Sequence, residues 1–141
     1  MKVLFDTNVV IDVAAKREEF FQASHDVFLL ATQGSIDGII SAGSITDIYY
    51  IVRRSLQNTS LVLEMINKIL QSLVLVDTKA QDIKQAIKLP MADFEDAVVA
   101  SVAQRERASF IITRNINDFS QSPIPAITPF DFLKKHAWNI V

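Results

Sequence analysis

Met1-Lys2-Val3-Leu4-Phe5-Asp6-Thr7-Asn8 decides how the rest of the chain is read. Val3, Leu4 and Phe5 are apolar and strand-like, and three short polar side chains follow at once. A buried parallel strand that ends this way hands its polar residues to the loop at its carboxyl end, where open α/β sheets place their chemistry. Asp6 alone is an ordinary strand-end turn residue. Its interest depends on whether distant acids reach the same edge.

Working outward, the chain alternates short apolar strands with amphipathic helices. Asn8 is a cap candidate for a short helix from Val9 to Ala15. Phe20, Ala23, Val27, Leu30 and Ala31 recur at helical spacing, which predicts a helix over 19–33. Gly34 stands where a helix end wants a left-handed residue. Ile36 to Ile40 is a second strand. Ser41 to Ser44 offers N-caps for a helix reaching Arg54. Val62, Met65, Ile66 and Ile69 mark a helix over 59–71, and Leu73 to Val76 a third strand. Asp77 and Thr78 are cap candidates for a helix over 79–89. After Pro90, Asp93 heads a helix with Phe94, Ala97, Val98 and Val102 inward. Phe110 to Thr113 is the fourth strand, followed by a polar loop anchored by Phe119. Pro125 to Thr128 is a short edge strand. Thr128-Pro129, with Asp131 at the third helical position, opens a last helix to His136. Five alternations argue an α/β fold, a mostly parallel sheet with helices on both faces in three layers.

The 141 residues fit one domain spanning 1–141, and such a chain buries a sizeable core. The net charge of -2 is not the strong positive field of a protein that holds nucleic acid by phosphate contacts alone, so a nucleic-acid role needs local cations or a metal. Cysteine is absent, which excludes disulfides and thiolate metal sites. Without a signal-peptide pattern or an apolar run of about 18 residues, a cytoplasmic protein with no membrane span is expected.

The acids carry the chemistry. Asp6, Asp47 in the helix after the second strand, and Asn115 and Asp118 after the fourth share the carboxyl edge by topology. Asp93 and Asp96 start a helix that would ordinarily begin at the opposite edge, unless the long connection 77–92 returns it. Four carboxylates in one crevice repel each other, and their pKa values rise without a cation. A hard divalent ion with oxygen ligands, Mg²⁺ or Mn²⁺, relieves this and can activate water beside a phosphoryl group. Thr7, Asn8, Thr113 and Asn115 can orient ligands or waters. The plainer readings stand beside these: Asp93 and Asp96 as cap and dipole partners, Asp118 as a turn residue. Asp12, Asp26, Asp37, Asp77, Asp82 and Asp131 read as surface or cap residues, His25 and His136 as surface residues. Tyr49, Tyr50 and Trp138 read as packing residues.

Taken together, Asp6-Thr7-Asn8 after a strand, Ser41 with Asp47, Asp93-Phe94-Glu95-Asp96-Ala97, and Ile112-Thr113-Arg114-Asn115 followed by Asp118-Phe119 resemble the PIN domain. The similarity runs from residue 1 to about 133, in the style of single-domain bacterial VapC-type toxins of toxin–antitoxin pairs. The resemblance implies a three-layer α/β/α sandwich with a five-stranded parallel sheet and Mg²⁺- or Mn²⁺-dependent cleavage of RNA. It implies an acidic catalytic quartet of Asp6, Asp47, Asp96 and Asp118, with Asp6, Asp96, Asp118 and Asp93 toward metal. It also implies that Asp96 joins Asp6 in one crevice. Asp47 departs from the commoner Glu by one methylene, so its metal contact would pass through a water. Arg53, Arg54 and Arg114 are candidate contacts to RNA.

Two readings from different classes follow. One is a metal-dependent ribonuclease. The other is a PIN-like domain without catalysis that binds protein or RNA, with the apolar segments Ile45 to Val52 and Leu61 to Leu70 as antitoxin or homodimer surfaces, or simply as core. Other α/β enzymes fit less well. Asp6-Thr7-Asn8 has no Gly for a dinucleotide or phosphate-cradling loop, and no second Asp stands two residues after Asp6 for a haloacid-dehalogenase phosphatase. A receiver domain lacks a well-placed Lys after the last strand.

Overall fold

The computed structural model describes residues 1–136. Five strands form one parallel sheet: β1 (Lys2–Phe5), β2 (Asp37–Ser41), β3 (Val74–Val76), β4 (Phe110–Ile112) and β5 (Ala126–Ile127). Their order across the sheet is β3-β2-β1-β4-β5. The chain builds outward from β1 to β3, then crosses back to β4 on the other side of β1. That reversal opens a crevice at the carboxyl ends of β1 and β4. Trp138 lies outside the described residues.

Seven α-helices cover the two faces: α1 (Thr7–Ala14), α2 (Glu18–Thr32), α3 (Ala42–Leu56), α4 (Thr59–Ser72), α5 (Ala80–Lys88), α6 (Phe94–Arg105) and α7 (Pro129–His136). Strand residues alternate between two cores, as the pleat demands. Val3 and Phe5 pack with Val10, Val27, Ile48, Val62 and Phe132 beneath α1–α4 and α7. Leu4, Ile39 and Ile111 pack with Val99, Ala100 and Ala103 of α6. Ile48, Val52, Val62 and Ile69 are core, whereas Tyr50, Ile51, Leu61 and Leu63 are exposed.

Cap chemistry corrects several expectations. Helix α1 starts two residues early: Asp6 is its N-cap, accepting from the Thr7 N–H at 2.9 Å, and Asn8 sits in the first turn. Neither Asp77 nor Thr78 caps α5. Its N-cap is Lys79, whose N–H donates to the Asp82 carboxylate at 2.8 Å. Asp93 caps α6 as foreseen, accepting from the Asp96 N–H at 2.9 Å. Gly34 takes φ +77°, as a helix end requires.

Two acids read as surface or cap residues are buried, and Asp82 does serve the cap of α5. Asp12 is fully buried and bonded to Arg114; Asp82 is 2% exposed and bonded to Arg105. Their partners lie 102 and 23 positions away, beyond any local pattern. The reverse holds for Tyr50, read as packing yet 65% exposed.

Gly38 lets β2 lie close beneath the helices. A Cβ there would stand 2.7 Å from Leu73 Cδ2 and 2.8 Å from the Ala31 Cβ, which has no rotamer to yield. Gly38→Ala is therefore expected to lower unfolding free energy by roughly 1–3 kcal/mol, read as a lower urea midpoint at unchanged slope. An unchanged midpoint would show that α2 gives way freely.

Candidate active site at the carboxyl edge

The centre of the site is Asp6, 7% exposed at the end of β1. Its backbone N–H donates to Ile112 O at 2.9 Å, continuing the β1–β4 ladder by one step. Its Oδ2 accepts from Thr113 Oγ1 at 2.8 Å and from Asn8 Nδ2 at 3.3 Å. Thr113 Oγ1 in turn accepts from Asn8 Nδ2 at 3.3 Å and the Asn115 N–H at 3.1 Å. Thr113 is fully buried, so this lattice fixes one rotamer of Asp6. Thr7, Asn8, Thr113 and Asn115 thus converge on it.

A cleft of about 680 Å³ opens over Asp6. Asp47 enters it from the second turn of α3, whose start is set by Ser41, with Ser41 Oγ accepting from the Ser44 N–H at 3.4 Å. Asp96 enters from the first turn of α6. The sequence expectation for Asp96 is corrected: α6 ends at the amino edge, where the Ser109 N–H donates to Lys2 O at 2.8 Å, so it starts at the carboxyl edge, and Asp82 at the start of α5 holds Arg105 at the far end of α6. Asp93 and Asp118 are exposed and line no part of the cleft, but both lie close enough to act on Asp96.

Electrostatics tie the acids together. Burial above all, and then the charges of Asp93, Asp6, Asp118 and Glu95, together raise the Asp96 carboxyl to about 7. Burial also raises Asp6, opposed by the bonds from Thr113 and Thr7 and by Arg114, and reinforced by Asp118. Glu95 is raised chiefly by Asp47. Sequence reasoning passed over Glu95, yet it lines the cleft. Its signal was available, since it sits between two acids at a helix start.

The arginines divide. Arg54 lines the cleft, and so does Arg17, which the motifs did not flag. Arg53 turns away to donate from Nε to Thr59 Oγ1 at 3.1 Å. Arg114 lies along Asp12, its Nε 2.7 Å from Oδ2. Phe94, expected inward, is 50% exposed and forms a cleft wall with Tyr50, Ile51 and Ile83.

The sequence profile described as "PIN domain" matches residues 2–117. The chain belongs to the PIN domain family. Solved structures share this PIN fold at low identity. VapBC2 from Rickettsia felis, bound to a DNA fragment from its promoter, aligns with TM-score 0.71 and 20% identity over 91% of this chain and 98% of that one. The Mycobacterium tuberculosis toxin VapC20, which cleaves the sarcin-ricin loop, aligns with TM-score 0.71 and 14% identity over 90% and 99%. A toxin–antitoxin complex from Klebsiella pneumoniae aligns with TM-score 0.66 and 20% identity over 90% and 97%. No curated protein sequence matches the chain.

The raised Asp96 carboxyl has a thermodynamic consequence for this PIN domain. Its folded value of about 7 exceeds the ordinary 3.8, so between these values the folded state binds more protons than the unfolded chain. The stabilising contribution is complete below pH 4 or so and is lost as pH rises through about 7. In EDTA the melting temperature is expected to fall between pH 5 and 8, and Asp96→Asn to flatten that fall. Parallel profiles for the two proteins would refute the assignment.

Proposed function

We propose that the protein is a divalent-metal-dependent endoribonuclease acting as the toxin of a toxin–antitoxin pair, in the cytoplasm. The observation that carries this reading is the meeting of Asp6, Asp47 and Asp96, from three distant segments, in one cleft at the switch point of the sheet. The likeness to toxin structures, one of which cleaves RNA, supports the substrate class.

The donor set fits Mg²⁺ or Mn²⁺. It is all oxygen, and its carboxyls are pushed up by burial first and then by neighbouring acids, a charge that a cation would offset. Among the described residues no three acidic or imidazole groups close on a single point, so such an ion would take at most two carboxylates directly and water for the rest of its shell. Asp6 and Asp96 would hold it, with Asp118 and Asp93 beside them and Asp47 and Glu95 acting through water. The ion would supply Lewis-acid stabilisation of the phosphoryl oxygens and a more acidic water.

The chain's own residues do the rest. Thr113 and Asn8 hold Asp6 in one orientation, so no reorganisation is needed when substrate arrives. With its carboxyl at about 7, Asp96 is partly protonated at neutral pH, and holding a cation would release that proton. Arg54 and Arg17 supply positive charge in a chain whose net charge is negative. The exposed apolar wall of Tyr50, Ile51, Ile83 and Phe94 is the surface an antitoxin segment would cover, and Leu61 and Leu63 offer α4 to a second copy of the chain.

The deciding experiment incubates single-stranded RNA with the purified protein in Mn²⁺, in Mg²⁺ and in EDTA. Cleavage is expected with either metal and none in EDTA. A folded protein that binds RNA but never cuts it would leave the binding module as the reading.

A further inference from the structure

Beside the acidic cleft lies a second built arrangement, in which Arg114, a candidate RNA contact from the sequence, meets Asp12, Arg17 and Phe20, to which no motif assigned a part in the site. Asp12 on α1 is fully buried. Its Oδ2 accepts from Arg114 Nε at 2.7 Å and from Ser24 Oγ at 3.2 Å. Its Oδ1 is buried without a hydrogen bond, and Arg17 Nη1 stands 3.8 Å from it. The turn between α1 and α2 brings Arg17 there. Lys16 adopts φ 50°, an uncommon left-handed conformation for a lysine, and the Arg17 N–H returns to Asp12 O at 3.1 Å. The Arg114 guanidinium carbon lies 4.0 Å above the Phe20 ring centroid.

Each arginine is held on one side and free on the other. The Nε bond and the Phe20 ring fix the plane of Arg114, and among the described residues neither of its Nη groups donates a hydrogen bond. Two parallel N–H groups from a fixed guanidinium match the oxygens of a phosphodiester. Arg17 is 43% exposed along its side chain and lines the cleft that holds Asp6. Arg114 follows Thr113, and its backbone N–H donates to Asn8 Oδ1 at 3.3 Å, so its root is bonded into the lattice around Asp6. A salt bridge serving only to join α1 to the β4 loop would not need a second arginine waiting beside the same carboxylate.

We propose that Asp12 and Phe20 are positioning residues that hold Arg114 and Arg17 as a two-arginine clamp for a phosphodiester of single-stranded RNA, flanking the acidic cleft. The inference rests on the ribonuclease reading and deepens it. Asp12 acts through the arginines and touches no substrate. Its single negative charge balances one of the two arginines, so the clamp holds a net positive charge that a phosphate can meet.

The test measures binding of a fluorescent single-stranded RNA in EDTA across a salt series, alongside KM and kcat for cleavage in Mn²⁺. Arg17→Met and Arg114→Met are each expected to reduce the slope of log affinity against log salt by about 0.7. KM should rise several-fold while kcat changes little. Asp12→Asn gives the sharpest sign. It makes the chain one charge more positive, so a purely electrostatic account demands tighter binding, whereas loss of positioning demands weaker binding with the salt slope reduced. Phe20→Leu, which leaves every charge in place, is expected to weaken binding in the same direction, and it decides the matter if Asp12→Asn fails to fold. Folded variants that bind RNA as tightly as wild type, with unchanged KM, would overturn the clamp while wild-type cleavage still upheld the ribonuclease. A wild type that neither binds nor cuts RNA would overturn both.

Discussion

Asp6→Asn is expected to lower RNA cleavage by about 100-fold or more, the scale of losing several kcal/mol of charge stabilisation at a metal site. The substitution keeps the size of the side chain and one of its two accepting oxygens, so the fold should survive. In EDTA the variant should even melt higher than wild type. The native carboxyl is buried and pushed upward, and removing its charge relieves that conflict. Asp96→Asn should behave alike. Thr113→Val should cost less, about 10-fold, because it leaves the carboxylate in place and removes the bond that aims it, together with those Thr113 accepts from Asn8 and Asn115. Gel analysis of RNA products and parallel melting curves in EDTA read both effects. Equal cleavage by wild type and Asp6→Asn would remove Asp6 from the mechanism.

The second large effect is structural. Arg105 donates from Nε to Asp82 Oδ1 at 2.9 Å and from Nη2 to Oδ2 at 3.0 Å, from Nη1 to Glu106 at 3.1 Å, and from Nη2 to the Asp77 carbonyl at 2.7 Å. Asp82 is 2% exposed, so Arg105→Met strands a buried carboxylate with only its cap bond to Lys79. The expected cost is about 3–5 kcal/mol, a drop of roughly 10 °C in melting temperature. The double variant Arg105→Met with Asp82→Leu should recover much of that, since burying neither charge removes the desolvation cost. A single variant as stable as wild type would mean that water reaches Asp82. Because this pair closes the α5–α6 hairpin, the single variant should also lower activity by loosening Asp96.

The fold was legible because its signals are local. Alternating apolar runs, the Ser41 and Thr128 caps and Gly34 each declare themselves within a few residues. Cap positions slipped where two polar residues compete, as with Asp6 and Asn8. The site was legible only in part. Asp6, Asp47 and the β4 loop share an edge by topology, and so does Asp96, because a helix that feeds the amino end of β4 starts at the carboxyl edge; what no periodicity encodes is the latch between residues 82 and 105 that fixes the far end of that helix. Asp12 was misread for the same reason: its surroundings in sequence say helix, and its partner Arg114 comes from the far end of the chain. Phe94 and Tyr50 were assigned to the core because aromatic residues usually belong there, whereas here a cleft takes their exposure.

The central position of β1 has a bearing on how the protein comes into being. β1 is synthesised well before β4, yet Val3 pairs with Phe110, and Thr113 reaches Asp6 across 107 positions. A chain emerging amino-terminus first must hold Asp6 and Asp47 without their partners until the β4 loop is made, roughly several seconds later at ordinary rates of translation. Such long-range closure also slows folding. On the ribonuclease reading, nascent and prematurely terminated chains are harmless, and the interval gives a neutralising partner time to be present when the last acids arrive.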